Sequence, residues 1–248
     1  MAGHEPERVN FPETRWSMIS AVRHRAEDAP RAEEAMAAIC RHYWYPLYAF
    51  ARRQMLGIED AQDATQGFFA RLIEKESLGA ADRERGRLRT FLLASFKYFL
   101  ADARDRQQTW RRGGRAEIVS FDAVIAEERY AAEPLDEATP ERLFHRRWAL
   151  TMLQRAMEVL EAERAAAGRA EELAVLRPFL DASGASGETD YNKAAEVLGW
   201  PVNTTRVAVH RLRHRYRQVL QDQVAATLEN EDAAVIEDEM RALLAALA

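Results

Sequence analysis

The 248-residue chain has a single cysteine, Cys40. One thiol excludes an internal disulfide and any zinc site built from a cysteine cluster. Alternating runs of Val, Ile and Thr are almost absent, which argues against a sheet. Glycine and proline are few, 11 and 8 residues, so little irregular chain is expected. No apolar run approaches the roughly 20 residues of a membrane-spanning helix, and the N-terminus lacks a signal-peptide core. The expectation is a cytoplasmic protein. There is no glycine-rich phosphate loop and no nucleophile elbow. His24, His145 and His214 show no ligand spacing, and Cys40 beside His42 and Tyr43 reads as a buried core thiol. Catalytic groups, cofactors and metals are therefore not expected, and the chain does not read as an enzyme.

What is present is Ala, Leu, Arg and Glu, with 48% apolar and 30% charged residues. These are helix formers, and the predicted fold class is all-α. Residues 1–13 read as a disordered lead. A helical bundle is expected over 14–112. "TRWSMISAVRHR" is a short helix, and "RAEEAMAAICRHYWYPLYAFARRQM" is a second that Pro46 ends or kinks midway. "IEDAQDATQGFFARLIEK" keeps Ala61, Ala64, Phe68 and Leu72 on one face. "RLRTFLLASFKYFLADARDRQQTWRR" is long, with aromatics on one side. Residues 113–140 read as an acidic linker, solvated with room for partial order: 116–141 hold eight acids and one base. A second helical domain is expected over 141–222, and an acidic tail helix over 223–248. The expected architecture is thus two helical domains joined by an acidic linker.

The net charge is -5, yet "WPVNTTRVAVHRLRHRYRQVL" (200–220) holds five arginines, two histidines and no acid. Charge in blocks, not net charge, points to a polyanionic partner. Upstream lies "ETDYNKAAEVLG". Asp190 can cap a helix starting at Tyr191, Ala194 and Ala195 permit close helix approach, and Gly199 suits a tight turn. Pro201 then stands near the first turn of the next helix. Two short-linked helices of this kind are the pattern of a helix-turn-helix. In the second helix Val209, Leu212, Tyr216 and Val219 fall at steps of three and four and point inward. Arg206, His210, Arg213 and Arg217 fall opposite. Asn203, Thr204, Thr205 and Arg206 occupy the turn that reaches base edges in a major groove, and later arginines such as Arg211 and Arg213 lie along phosphates. A good bidentate base contact is worth about 1–3 kcal/mol, whereas phosphate contacts give affinity that falls with salt.

A second basic region, residues 82–115, holds ten bases and four acids. Aromatics among bases suit single-stranded nucleic acid, because bases stack on rings while phosphates meet cations. Phe91, Phe96 and Phe99 are expected in the core. Tyr98 and Trp110, with Lys97, Arg104, Arg106, Arg111 and Arg112, are the contact candidates.

"YPLYAFARRQMLGIEDAQDATQGFFARL", the aromatic-basic helix, the acidic linker and "AAEVLGWPVNTTRVAVHRLRHRYR" together resemble a bacterial extracytoplasmic-function sigma factor. The resemblance covers roughly residues 14–112 and 141–222. It implies a dissociable subunit that binds core RNA polymerase and directs it to promoters. It implies docking on the polymerase clamp coiled coil through the helix from Ile58 to Leu72, with Asp60, Asp63, Gln66, Phe68 and Phe69 at matching positions. It also implies reading and melting of a -10 element by the helix from Phe91 to Arg112, and recognition of a duplex -35 element by the helix-turn-helix. The chain departs from the family at Gln62 and Gly67, where acids are common, and at Tyr98, where an asparagine is common; Asp102 is retained. Ala208 replaces a common basic residue.

Control by an anti-sigma factor or a serine/threonine kinase fits the resemblance. Thr65, between Asp63 and Gln66, is the candidate phosphorylation site, where a phosphate would add about -1.5 to -2 charge to the docking helix. The six acids of residues 229–248 are a second regulatory candidate, able to cover the basic helix. The alternative reading is a one-component helix-turn-helix regulator that binds duplex DNA as a dimer, with residues 14–112 as a ligand or dimerisation domain.

Overall fold

The computed structural model describes residues 29–74, 88–105, 123–131, 139–180, 187–228 and 232–248. Among them are nine α-helices, one 3-10 turn and no strand. The all-α class is therefore as expected. Residues 14–25, where a first short helix was expected, lie outside the described residues.

The chain divides into two compact units. One comprises Met1–Phe144 with Ala225–Asp232; the other comprises His145–Val224 with Ala233–Ala248.

In the first unit the core is built by three helices, α1 (Ala29–Arg53), α2 (Ile58–Glu74) and α3 (Leu88–Asp105). Apolar residues at helical spacing give each a buried face. Tyr43, Leu47, Tyr48 and Phe50 of α1, Ala61, Ala64 and Phe69 of α2, and Leu88, Leu92 and Phe96 of α3 are all fully buried. A cluster of rings closes this core. Phe96 meets Phe50 at 6.1 Å and Phe68 at 5.1 Å, both edge-on, and lies stacked with Phe99 at 6.4 Å. Edge-to-face pairs of this kind add about 0.5–1.5 kcal/mol beyond the area they bury. Gly67 brings α2 close to α3: a Cβ there would stand 3.4 Å from the Phe99 ring.

Of the two roles expected for Pro46, ending the helix does not occur: α1 runs from Ala29 to Arg53 with Pro46 inside. Proline deletes one backbone hydrogen bond there, and the buried aromatic face on either side holds the helix together. The acidic linker contains a helix, α4 (Ala123–Ala131), that is tied to α1. Arg52 donates to Glu127 through Nε at 3.0 Å and through a terminal nitrogen at 2.8 Å, and the Tyr48 hydroxyl donates to the same carboxylate at 2.6 Å. The Arg52 hydrogen bonds hold the Glu127 carboxyl below the usual range. Burial, then Glu127, pushes the Tyr48 phenol up. Tyr130 of the same helix lies under the Arg52 guanidinium at 5.0 Å.

The second unit is organised around a core of Leu160, Leu173, Leu176, Phe179, Ala194, Val209 and Leu212. These come from α5 (Pro140–Ala166), α6 (Ala170–Leu176), the 3-10 turn Arg177–Leu180, α7 (Glu188–Leu198) and α8 (Val202–Ala225). The tail forms α9 (Ala233–Leu247), with Met240 and Leu243 buried. Cys40, back in the first unit, is 2% exposed, and burial pushes its thiol up to about 12. It is a core residue and stays protonated.

Candidate nucleic-acid interface

Helices α7 and α8 are joined by three residues, with Gly199 in the left-handed region at φ 65°. A side chain in that region costs about 1–2 kcal/mol, so glycine sets the sharp turn. The Gly199 amide donates to Glu196 and the Trp200 amide to Ala195, closing the end of α7. At its start the helix begins at Glu188, three residues earlier than the sequence suggests. Asp190 still caps it, from inside the first turn, by accepting the Gly187 amide at 3.1 Å. Pro201 stands immediately before α8, and its carbonyl accepts the Thr205 amide at 3.1 Å. Ala194 and Ala195 are buried, as close helix approach requires.

The two faces of α8 separate as the spacing predicts. Val209, Leu212 and Val219 are 1–2% exposed. Tyr216 is half-buried and donates its hydroxyl to the Leu153 carbonyl at 3.1 Å. Asn203, Thr204, Arg206, His210, Arg211, Arg213, His214 and Arg217 are exposed. Thr205 is the exception among the predicted reading residues. It is fully buried, and its hydroxyl lies 3.4 Å from the Pro201 carbonyl, so it anchors the helix start instead of facing outward.

The arginines are not equivalent. Arg206 pairs with Glu188 at 2.9 Å and lies 5.7 Å from the Tyr191 ring centre. Both charged groups are largely exposed, and such a pair is worth about 0–1 kcal/mol, so an anionic ligand can displace the glutamate. Arg213 donates Nε to the Phe179 carbonyl at 2.8 Å. Arg215 forms a two-pronged bond to Glu163 of α5, and that contact holds the Glu163 carboxyl low. It fastens α8 to α5. Arg217 reaches Glu237 of the tail at 3.6 Å. Arg211 makes no ion pair among the described residues. Of the tail's acids, Glu237 reaches α8, at Arg217, and Asn203, Thr204 and Arg206 in the first turn of α8 are exposed.

In the first unit, Tyr98 of α3 is 78% exposed, a placement a core role does not explain. Lys97 is exposed and paired with Glu141. Asp102 accepts a bond from Arg71 of α2 at 2.9 Å. Arg104 belongs to α3, but its side chain is not described; Arg106, Trp110, Arg111 and Arg112 lie outside the described residues.

On α2, Asp60, Asp63 and Gln66 are exposed on one side. Phe68 and Phe69 are not: at 3% and 0% exposure they are core rings. Their predicted role in docking is corrected, because the ring cluster with Phe96 already occupies them. Thr65 is also corrected. It is fully buried and donates its hydroxyl to the Ala61 carbonyl at 2.7 Å, out of reach of a kinase in this fold.

Sequence reasoning missed several exposed apolar residues, three of them beside the candidate surfaces. Met55 is 92% exposed with φ 66°, and Ile58 is 45% exposed at the start of the acidic face. Val207 of α8 is 50% exposed among the polar reading residues. The signal for Val207 was available: it lies two positions from the buried Val209, off the inward face. Comparison with protein-family models, curated proteins and solved structures finds no match.

Proposed function

We propose that this protein is a sigma factor: it binds core RNA polymerase and directs promoter recognition and transcription initiation. The observation that carries this reading is the helix-turn-helix of the second unit. Its left-handed glycine sets the turn, its core residues face inward, and Asn203, Thr204, Arg206, His210 and Arg211 are exposed, with Glu188 the acid paired to Arg206 among the described residues. That surface suits the major groove of a -35 element, with Asn203 to Arg206 toward base edges and the later cations along phosphates. The first unit supplies the remaining parts. Exposed Tyr98 and Lys97 on α3 suit an unpaired base and its phosphate in a melted -10 strand. Asp60, Asp63 and Gln66 on α2 suit a basic helical surface of the polymerase. The chain does no chemistry of its own; stacking and phosphate contacts offset the lost duplex stacking.

The test is transcription in vitro with purified core enzyme and a genomic promoter library. Core enzyme with this chain is expected to initiate at discrete start sites that core enzyme alone does not use. An identical transcript pattern with and without the chain rejects the proposal. Binding of a palindromic duplex by a dimer without polymerase would favour the one-component regulator instead.

A further inference from the structure

Val207 is the exposed large apolar residue in the first half of α8. Val209 and Leu212 fill the core at 1% and 2% exposure, while Val207 is 50% exposed and takes no part in the core cluster. On a helix of 3.6 residues per turn it shares one face with Asn203, His210, Arg211 and His214, all exposed. Asn203 lies one turn before it and Arg211 one turn after. An apolar group ringed by hydrogen-bonding and cationic groups matches the floor of a major groove, where the only apolar base substituent is the C5-methyl of thymine. The flanking cations Arg206, Arg211 and Arg213 complement the phosphates on either side. The β-branched side chain also has one strongly preferred rotamer in a helix, so it loses little freedom on docking.

We propose that Val207 is a base-reading residue whose ligand is the C5-methyl group of a thymine in the major groove. The inference rests on the reading of α8 as a DNA-recognition helix, and it assigns that helix one specific base. The experiment starts from duplexes selected out of a random library by the full chain, alone and with core polymerase. Each thymine of the selected upstream element is then replaced in turn by deoxyuridine, which lacks only the methyl group. Binding by wild type and Val207→Ala is measured by fluorescence anisotropy. Wild type is expected to lose roughly fourfold in affinity at one thymine position, the worth of one buried methyl group. Val207→Ala is expected to bind the thymine and deoxyuridine duplexes equally, while keeping its affinity for polymerase.

Indifference of wild type to every replacement overturns the proposal, and so does full discrimination retained by Val207→Ala. Loss of polymerase binding in Val207→Ala with discrimination intact assigns the residue to a protein contact and overturns it too. Failure to enrich any duplex rejects the DNA-recognition reading itself, and is thus distinguishable from failure at Val207 alone.

Discussion

Arg211→Ala removes the arginine of α8 that has neither an ion pair nor a side-chain hydrogen bond among the described residues; Arg213, also without an ion pair, is tied to the Phe179 carbonyl. Arg215→Ala removes an arginine four residues later that is committed to Glu163. The sequence presents the two as similar members of one basic run, so the pair tests which cations face the nucleic acid. Each phosphate neutralised on duplex DNA contributes roughly 0.9 to the slope of log K against log salt. Loss of the Arg211 contact should therefore lower that slope by about 0.9. Over a fourfold salt increase, from about 50 to about 200 mM, this amounts to a factor of about 3.5. The affinity deficit of Arg211→Ala is expected to shrink by that factor across the range, because salt weakens wild type more. Arg215→Ala should leave the slope unchanged while lowering the unfolding free energy, since its removal leaves Glu163 without its partner. The assay is a salt titration of the full chain against a short fluorescent duplex, with urea denaturation run beside it. Equal slope changes in the two variants would refute the assignment of faces on α8, as would an unchanged slope in Arg211→Ala.

Gly199→Ala places a Cβ in a left-handed backbone with open space around it, so the cost is conformational and not steric. A destabilisation of about 1–2 kcal/mol is expected in urea unfolding, and less for Gly199→Asn, which tolerates that region better. Glu127 has a folded-state pKa below its ordinary value because of Arg52. Its contribution is therefore fully present above the unfolded glutamate pKa, about 4.3, and is lost as pH falls through the lower folded value. The stability gap between wild type and Glu127→Gln should narrow on acidification through that window; a gap independent of pH would refute the role of the Arg52 pair.

The helices and the two faces of α8 were legible in the sequence because burial of a helix follows a fixed period. Val209, Leu212 and Val219 recur at steps of three and seven, and one side of the helix must then be apolar wherever it docks. The Gly199 turn was legible for a similar local reason, since a left-handed residue is nearly restricted to glycine. Phe68, Phe69 and Thr65 were given outward roles, although the stripe Ala61, Ala64, Phe68 and Leu72 already turns Phe68 inward. The Phe96 and Phe99 rings of another helix occupy that side, and nothing within α2 records where those rings lie. The acidic segment has the same limit: Glu127 reads as one charge among many until Arg52 and Tyr48, some 75 and 79 residues earlier, are placed beside it.

Composition and periodicity by themselves determined an all-helical chain, the turn of the helix-turn-helix, and the concentration of positive charge on α8. They did so because helix propensity, backbone handedness and the 3.6-residue repeat act within a few neighbouring residues. Tertiary structure alone decided which of those charges are spent inside the protein, as at Arg215, and which face outward, as at Arg211. It also decided that Val207 is exposed to solvent and that Thr205 and Thr65 are sealed. Pairing and burial depend on groups far apart in sequence, and only the folded packing brings those groups within reach.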